Sequence, residues 1–225
     1  MQVFLLFCEL TLLYFLSRWV SQSLFTLFLL LFRARPVAVS MILLLQFPGT
    51  VIHELAHLFT AEILRVPTGK LTLVPESIRD ENIRSGSVTI AQSDPFRRYA
   101  IGLAPIFAGL LVLTSISYFL SQNIPNWIYW SLIYLLFAVS NSMFSSPEDL
   151  KGFWPFAVVF IAFATIFYFL GIRFELTGYT LELVTRILTT LTKSLGLVLG
   201  VNAILLVVSR SLMMVLLRIF RVRIL

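Results

Sequence analysis

The chain has 225 residues, of which 59% are hydrophobic and only 12% are charged, against about 25% charged in an ordinary soluble domain. That composition excludes a water-soluble globular protein and predicts an integral membrane protein whose main surroundings are the lipid bilayer. The formal charge of +6 sits at segment ends and in one loop rather than in a binding patch. It reads as headgroup contact, and no nucleic-acid partner is expected.

A spanning helix needs roughly 20 mostly apolar residues, and about six such stretches fit along the chain. The expected fold is therefore an all-α polytopic membrane protein, about six transmembrane helices with a small membrane-surface β-hairpin, in one integral membrane domain covering 1–225. The N-terminus is apolar from Val3, with no basic n-region and no small-residue cleavage site, so it reads as retained structure. The opening run is interrupted by Glu9 and Arg18, a candidate ion pair, and reads as one long tilted helix or a hairpin of two short ones. Cys8, the single cysteine, excludes an internal disulfide and is expected to pack. A second span follows over 37–64, with Pro48-Gly49 expected to start or kink its second half.

Residues 65–98 are polar, with two β-like runs, 70–74 and 87–92, around the turn-prone stretch 75–86, which predicts a hairpin. Spans are expected over 99–120, 127–144 and 153–170. Between 180 and 193, Leu181, Val184, Leu188 and Leu191 recur at steps of three and four, predicting a helix lying in the interface before a last span over 195–217. Basic residues gather after the second span (Arg65, Lys70, Arg79, Arg84, Arg97, Arg98) and at the end (Arg210, Arg218, Arg221, Arg223). Both regions are accordingly expected on the cytoplasmic side of a multi-pass protein, with the cell membrane as its location. The sequence carries no signal for oligomeric state.

His53-Glu54-Leu55-Ala56-His57 is an H-E-x-x-H run inside the second span. Four residues at about 100° each bring both imidazoles onto one helix face, where they can share a Zn²⁺ ion, while Glu54 lies about 100° round, suited to act as general base. Ionisable groups inside a span cost roughly 3 kcal/mol or more each, so three within five residues argue for a metal site rather than for casual polar residues. Cobalt or iron could occupy the same donors.

A hydrolytic zinc takes three protein ligands and keeps a fourth position for water. Both histidines of the chain are already used, so the third ligand should be a carboxylate: Glu9, Glu62, Asp94, Glu148, Asp149, Glu175 or Glu182. Glu62 is about 140° off the histidine face. At 141–152 the fourth span ends in a break carrying Pro147, Glu148, Asp149 and Gly152. That break suits a membrane-depth carboxylate and equally suits a solvated helix cap, so local pattern leaves Asp149 open.

Taken together, these residues resemble the site-2 protease family of intramembrane metalloproteases, in which a membrane-embedded H-E-x-x-H pairs with a later N-x-x-P-x-x-x-x-D-G motif. Asn141 and Asp149 match that motif at the right separation, and the order of motif helix, hairpin, Gly102-Leu-Ala104-Pro105 span and aspartate span is similar over about 36–152. The resemblance implies a catalytic core over 36–152 with flanking helices in 1–35 and 153–225. It implies Asp149 as third zinc ligand, and Asn141 as a residue that holds the substrate strand or polarises its carbonyl. The activity implied is that of a zinc metalloendopeptidase acting on transmembrane protein substrates, the hairpin offering an edge strand to the unwound substrate. Phe144 and Leu150 stand where the family has proline and glycine, and Phe107, Ala108 and Gly109 where it has an asparagine, marking a divergent member. The rival readings are a protease acting on peptides at the membrane surface and a catalytically silent or metal-binding membrane protein, a chaperone or a transporter. Retention of Glu54 and the lack of repeated halves weigh against the second.

Overall fold

The computed structural model describes residues 2–72, 87–90, 94–144 and 178–220, with scattered positions between 158 and 171. Within them the chain is an all-α membrane protein with one two-stranded sheet. Four of its helices, Val3–Phe32, Arg35–Ile63, Pro95–Leu120 and Gly178–Arg218, are long and apolar enough to cross a membrane. The span expected over 153–170 falls mostly outside the described residues.

The opening run is one helix, α1 (Gln2–Phe32), of 31 residues, not a hairpin of two. On it Glu9 and Arg18 are separated by nine residues, a rise of about 13 Å, which excludes the expected ion pair; the Arg18 guanidinium instead lies 4.9 Å from the centroid of the Tyr14 ring. Cys8 is exposed rather than packed. Arg33 breaks the helix by adopting a left-handed φ of 52°, and Pro36 opens α2 (Arg35–Ile63) in its first turn, where a missing N–H costs nothing. The link is so short that α2 must double back along α1.

α2 is continuous through Pro48 and does not restart there. Its C-terminus closes on Arg65 at φ 55°, with the Val66 N–H donating to the Ala61 carbonyl at 2.8 Å and the Arg65 N–H to the Glu62 carbonyl at 2.9 Å. This left-handed cap folds Val66 back onto Ala61, and both pack against Ile101 of the next helix. Strands β1 (Thr68–Thr72) and β2 (Ser87–Ile90) form the expected antiparallel hairpin, with Leu71 opposite Val88 and an irregularity between Thr68 and Leu71. Its turn lies outside the described residues. Asp94 caps α3 (Pro95–Leu120) by accepting from the Arg97 N–H at 3.0 Å. α4 (Asn126–Ser142) follows after a short loop.

The largest departure is α5 (Gly178–Phe220), a single helix of 43 residues, about 64 Å long. The expected interfacial helix and the expected last span are one element. No residue of 178–193 is buried, whereas Ser194, Leu195, Val198, Asn202 and Ser209 are. An amphipathic period marks a half-buried helix without revealing where that helix ends.

α5 packs most extensively on α1, and the two run in the same direction. The early part of α1 (Leu6, Leu10, Leu13) joins the cluster of Leu195 and Val198, Leu16 and Val20 join Leu205 and Leu206, and Ser23 Oγ meets Ser209 Oγ at 2.8 Å. Successive helices otherwise alternate. The α2–α3 hairpin and the N-terminus of α1 therefore share one end of the bundle, and the C-terminus of α5 lies at the other. This corrects the expectation that the basic residues after α2 and those at the C-terminus share one side; Arg65 and Arg97 sit at the end opposite Arg218.

Candidate metal centre

The H-E-x-x-H run occupies the last three turns of α2, facing α3 and α4. His53 is 3%, Glu54 5% and His57 7% exposed. The imidazoles are near-perpendicular, at 83°, and their Nε2 atoms converge to 3.2 Å. Two nitrogens each about 2.05 Å from one tetrahedral zinc stand about 3.3 Å apart, so the pair fits zinc as it stands.

The tautomer of His57 follows from its other nitrogen. Nδ1 lies 2.9 Å from the Ile101 carbonyl oxygen, which can only accept, so Nδ1 carries the proton and Nε2 turns a lone pair toward His53. An imidazole steered by a main-chain carbonyl is the usual outer support of a metal-ligating histidine. That carbonyl is itself held in place, because Ile101 is 1% exposed and wedged against Ala61 and Val66 at the α2 cap. The helix cap, the α3 core residue and His57 form one mechanical unit. Sequence reasoning missed Ile101, since a supporting carbonyl has no residue-type signature.

Gly49, one turn before His53, allows the close approach of α4: a Cβ there would overlap the Ala138 carbonyl and stand 2.6 Å from Ser142 Oγ. Gly109 of α3 is likewise closed over by Met143. Through these contacts Met143 and Phe144 join the core cluster against which Ile52, next to His53, also packs. The chain thus leaves α4 close to the depth of the histidines.

Of the seven carboxylates considered as a third ligand, Glu62 is exposed, Asp94 is occupied as a helix cap and ion-paired to Arg97 at 3.1 Å, and Glu182 lies in the exposed first part of α5. Glu9 is on α1, with Oε2 buried. Glu148, Asp149 and Glu175 lie outside the described residues. Among the described residues, no third histidine, cysteine or carboxylate joins the two histidines as a ligand set.

Asn141 is buried on α4 and reaches toward α5. Its Nδ2 donates to Asn202 Oδ1 at 2.6 Å and to the Phe137 carbonyl at 2.8 Å, while Asn202 Nδ2 donates to Ser140 Oγ and to the Val198 carbonyl, both at 3.0 Å. Asn202 was not anticipated as a site residue. An asparagine in an otherwise apolar span was the available signal. Beside the histidine face, a cavity of about 520 Å³ opens between α2 and α3, lined by Ala56, Phe59, Leu103 and Phe107 among others.

Fold and site together define a helical membrane protein with a buried cluster of two histidines and one glutamate. No protein-family model matches the chain, and no curated protein or solved structure matches it.

Proposed function

We propose that the protein is a multi-pass intramembrane zinc metalloprotease of the cell membrane, an endopeptidase acting on peptide bonds in or near transmembrane segments of other proteins. The observation that carries this reading is the 3.2 Å convergence of the His53 and His57 Nε2 atoms, with His57 Nδ1 committed to the Ile101 carbonyl. The burial of Glu54 beside them supports it. A carboxylate inside an apolar helix is costly, and such residues mark functional sites.

His53 and His57 hold the metal from α2, and Asp149 supplies the third ligand from the segment that follows Phe144. The depth at which α4 releases the chain supports Asp149, since five residues span at most about 17 Å. Zinc supplies Lewis-acid polarisation of the scissile carbonyl and of a water molecule. Glu54 takes the proton from that water and delivers it to the leaving amine nitrogen. The apolar walls of α3 and α4 exclude bulk water, which strengthens each of these electrostatic contacts. The hairpin offers an edge on which an unwound substrate segment can pair, at the same end of the bundle as the histidines.

A second reading also has an observation behind it. A distance of 3.2 Å is equally a hydrogen bond from the His53 Nε2–H to the His57 Nε2 lone pair, as expected of a silent protein without metal. Zinc per chain in the purified protein separates the two. About one zinc in wild type, lost in His53→Ala and in Asp149→Ala, supports the protease; a folded wild type that takes up no zinc refutes it.

A further inference from the structure

The amide pair Asn141–Asn202 joins the fourth and fifth helices at full burial: Asn202 is 0% and Asn141 6% exposed. The direction of both amides is forced. Each nitrogen lies against a main-chain carbonyl one turn back, Phe137 for Asn141 and Val198 for Asn202, and a carbonyl cannot face an amide oxygen at that distance. With Asn202 Oδ1 taking the other proton of Asn141, both donors of Asn141 are used. Its nitrogen also lies 3.4 Å from Ser140 Oγ, which leaves no donor to spare. What remains is Asn141 Oδ1, buried and without a partner among the described residues. An orphaned buried acceptor costs about 1–3 kcal/mol, which favours a guest that brings a donor.

On α4 Asn141 directly precedes Ser142, which with Ala138 flanks Gly49, and Gly49 is one turn, about 6 Å, from His53. An extended peptide advances about 3.3 Å per residue, so that offset corresponds to about two residues. We propose that Asn202 is a positioning residue: it fixes Asn141 so that Oδ1 accepts a backbone N–H of the extended peptide about two residues from the bond at the metal. This rests on the protease reading above. Of the two roles expected of Asn141 it keeps the first, holding the substrate strand, since an amide with both protons committed cannot polarise a carbonyl.

The test uses the full-length, zinc-loaded protein in detergent, with a short peptide hydroxamate as probe, a set of the same peptide N-methylated at one amide at a time, and acetohydroxamate as a metal-only control. In wild type, one N-methyl position should weaken binding about tenfold, the size of one lost hydrogen bond. In Asn202→Leu the parent peptide should already be about tenfold weaker and that N-methyl penalty should vanish, with zinc content and acetohydroxamate binding unchanged. Asn202→Asp, which in its protonated form keeps the acceptor for Asn141 and one of the two donors, should restore both the affinity and the penalty. An equal N-methyl penalty in wild type and Asn202→Leu, at full zinc, overturns the assignment and leaves the protease reading standing. If Asn202→Leu does not fold, Asn202→Asp decides alone, and an absent penalty there overturns the assignment. Absence of both zinc and acetohydroxamate binding in wild type overturns the protease reading itself.

Discussion

Gly49 of α2 and Ala138 of α4 are in backbone contact, so close that a methyl group at Gly49 would overlap the Ala138 carbonyl. Because that obstacle is backbone, Gly49→Ala cannot be absorbed by a rotamer change and must push the helices apart. Overpacking of this kind costs about 1–3 kcal/mol, and the displacement falls one turn from His53. Thermal unfolding in detergent should show a lowered midpoint and the purified variant should carry less zinc. An unchanged midpoint would mean the helices are not packed as described.

Glu54 and the histidines should separate cleanly under mutation. Glu54→Gln leaves both ring nitrogens in place, so zinc should be retained while cleavage of membrane-protein substrates falls roughly 100- to 10,000-fold. Comparison of membrane proteomes from cells carrying wild type and Glu54→Gln should reveal uncut forms accumulating in the variant. Equal cleavage patterns with full zinc would exclude Glu54 as the base.

Ile101 tests the support behind His57. Ile101→Ala empties a fully packed position against Ala61 and Val66 and should cost about 2–4 kcal/mol. It should also loosen the carbonyl that steers His57 Nδ1, lowering zinc affinity roughly 10- to 100-fold. The readout is the rate at which a chelator strips zinc, compared with Leu113→Ala, an equally buried α3 residue in a different cluster. If both variants lose zinc at the same rate, the effect is general destabilisation.

The shared direction of α1 and α5 can be trapped covalently. The Ser23 and Ser209 hydroxyls are 2.8 Å apart, so Ser23→Cys with Ser209→Cys, in a Cys8→Ala background, should oxidise to an intramolecular disulfide. Ser17→Cys with Ser209→Cys, six residues and about 9 Å further along α1, should not. Cross-linking of the control pair instead would refute the register.

The two parts of α5 should respond differently to truncation. Leu195→Ala, at a 1% exposed position, is expected to cost about 2–5 kcal/mol, whereas Leu183→Ala, at an exposed one, should change stability by about 0.5 kcal/mol or less. Chemical denaturation in detergent distinguishes them.

Composition and local pattern determined much on their own. The scarcity of charge fixed the environment, the apolar runs located α1 to α4 to within a few residues, and alternation with turn residues located the hairpin. Because H-E-x-x-H is a helical repeat of four, the face shared by His53 and His57 was legible without coordinates. Such features depend on residues near in sequence, whose relative placement a helix or turn already dictates.

What involved distant residues was decided only in the folded chain. Nothing local in Ile101 says that its carbonyl will meet His57, nor in Asn202 that it will hold Asn141, nor in Gly49 that α4 needs the space of a missing Cβ. The continuity of α5 was hidden for the same reason: its exposed and buried halves differ in what they pack against, not in helical propensity. Helix direction, too, was set by which faces pair across the bundle, and the charge at helix ends gave a different answer from the Ser23–Ser209 contact.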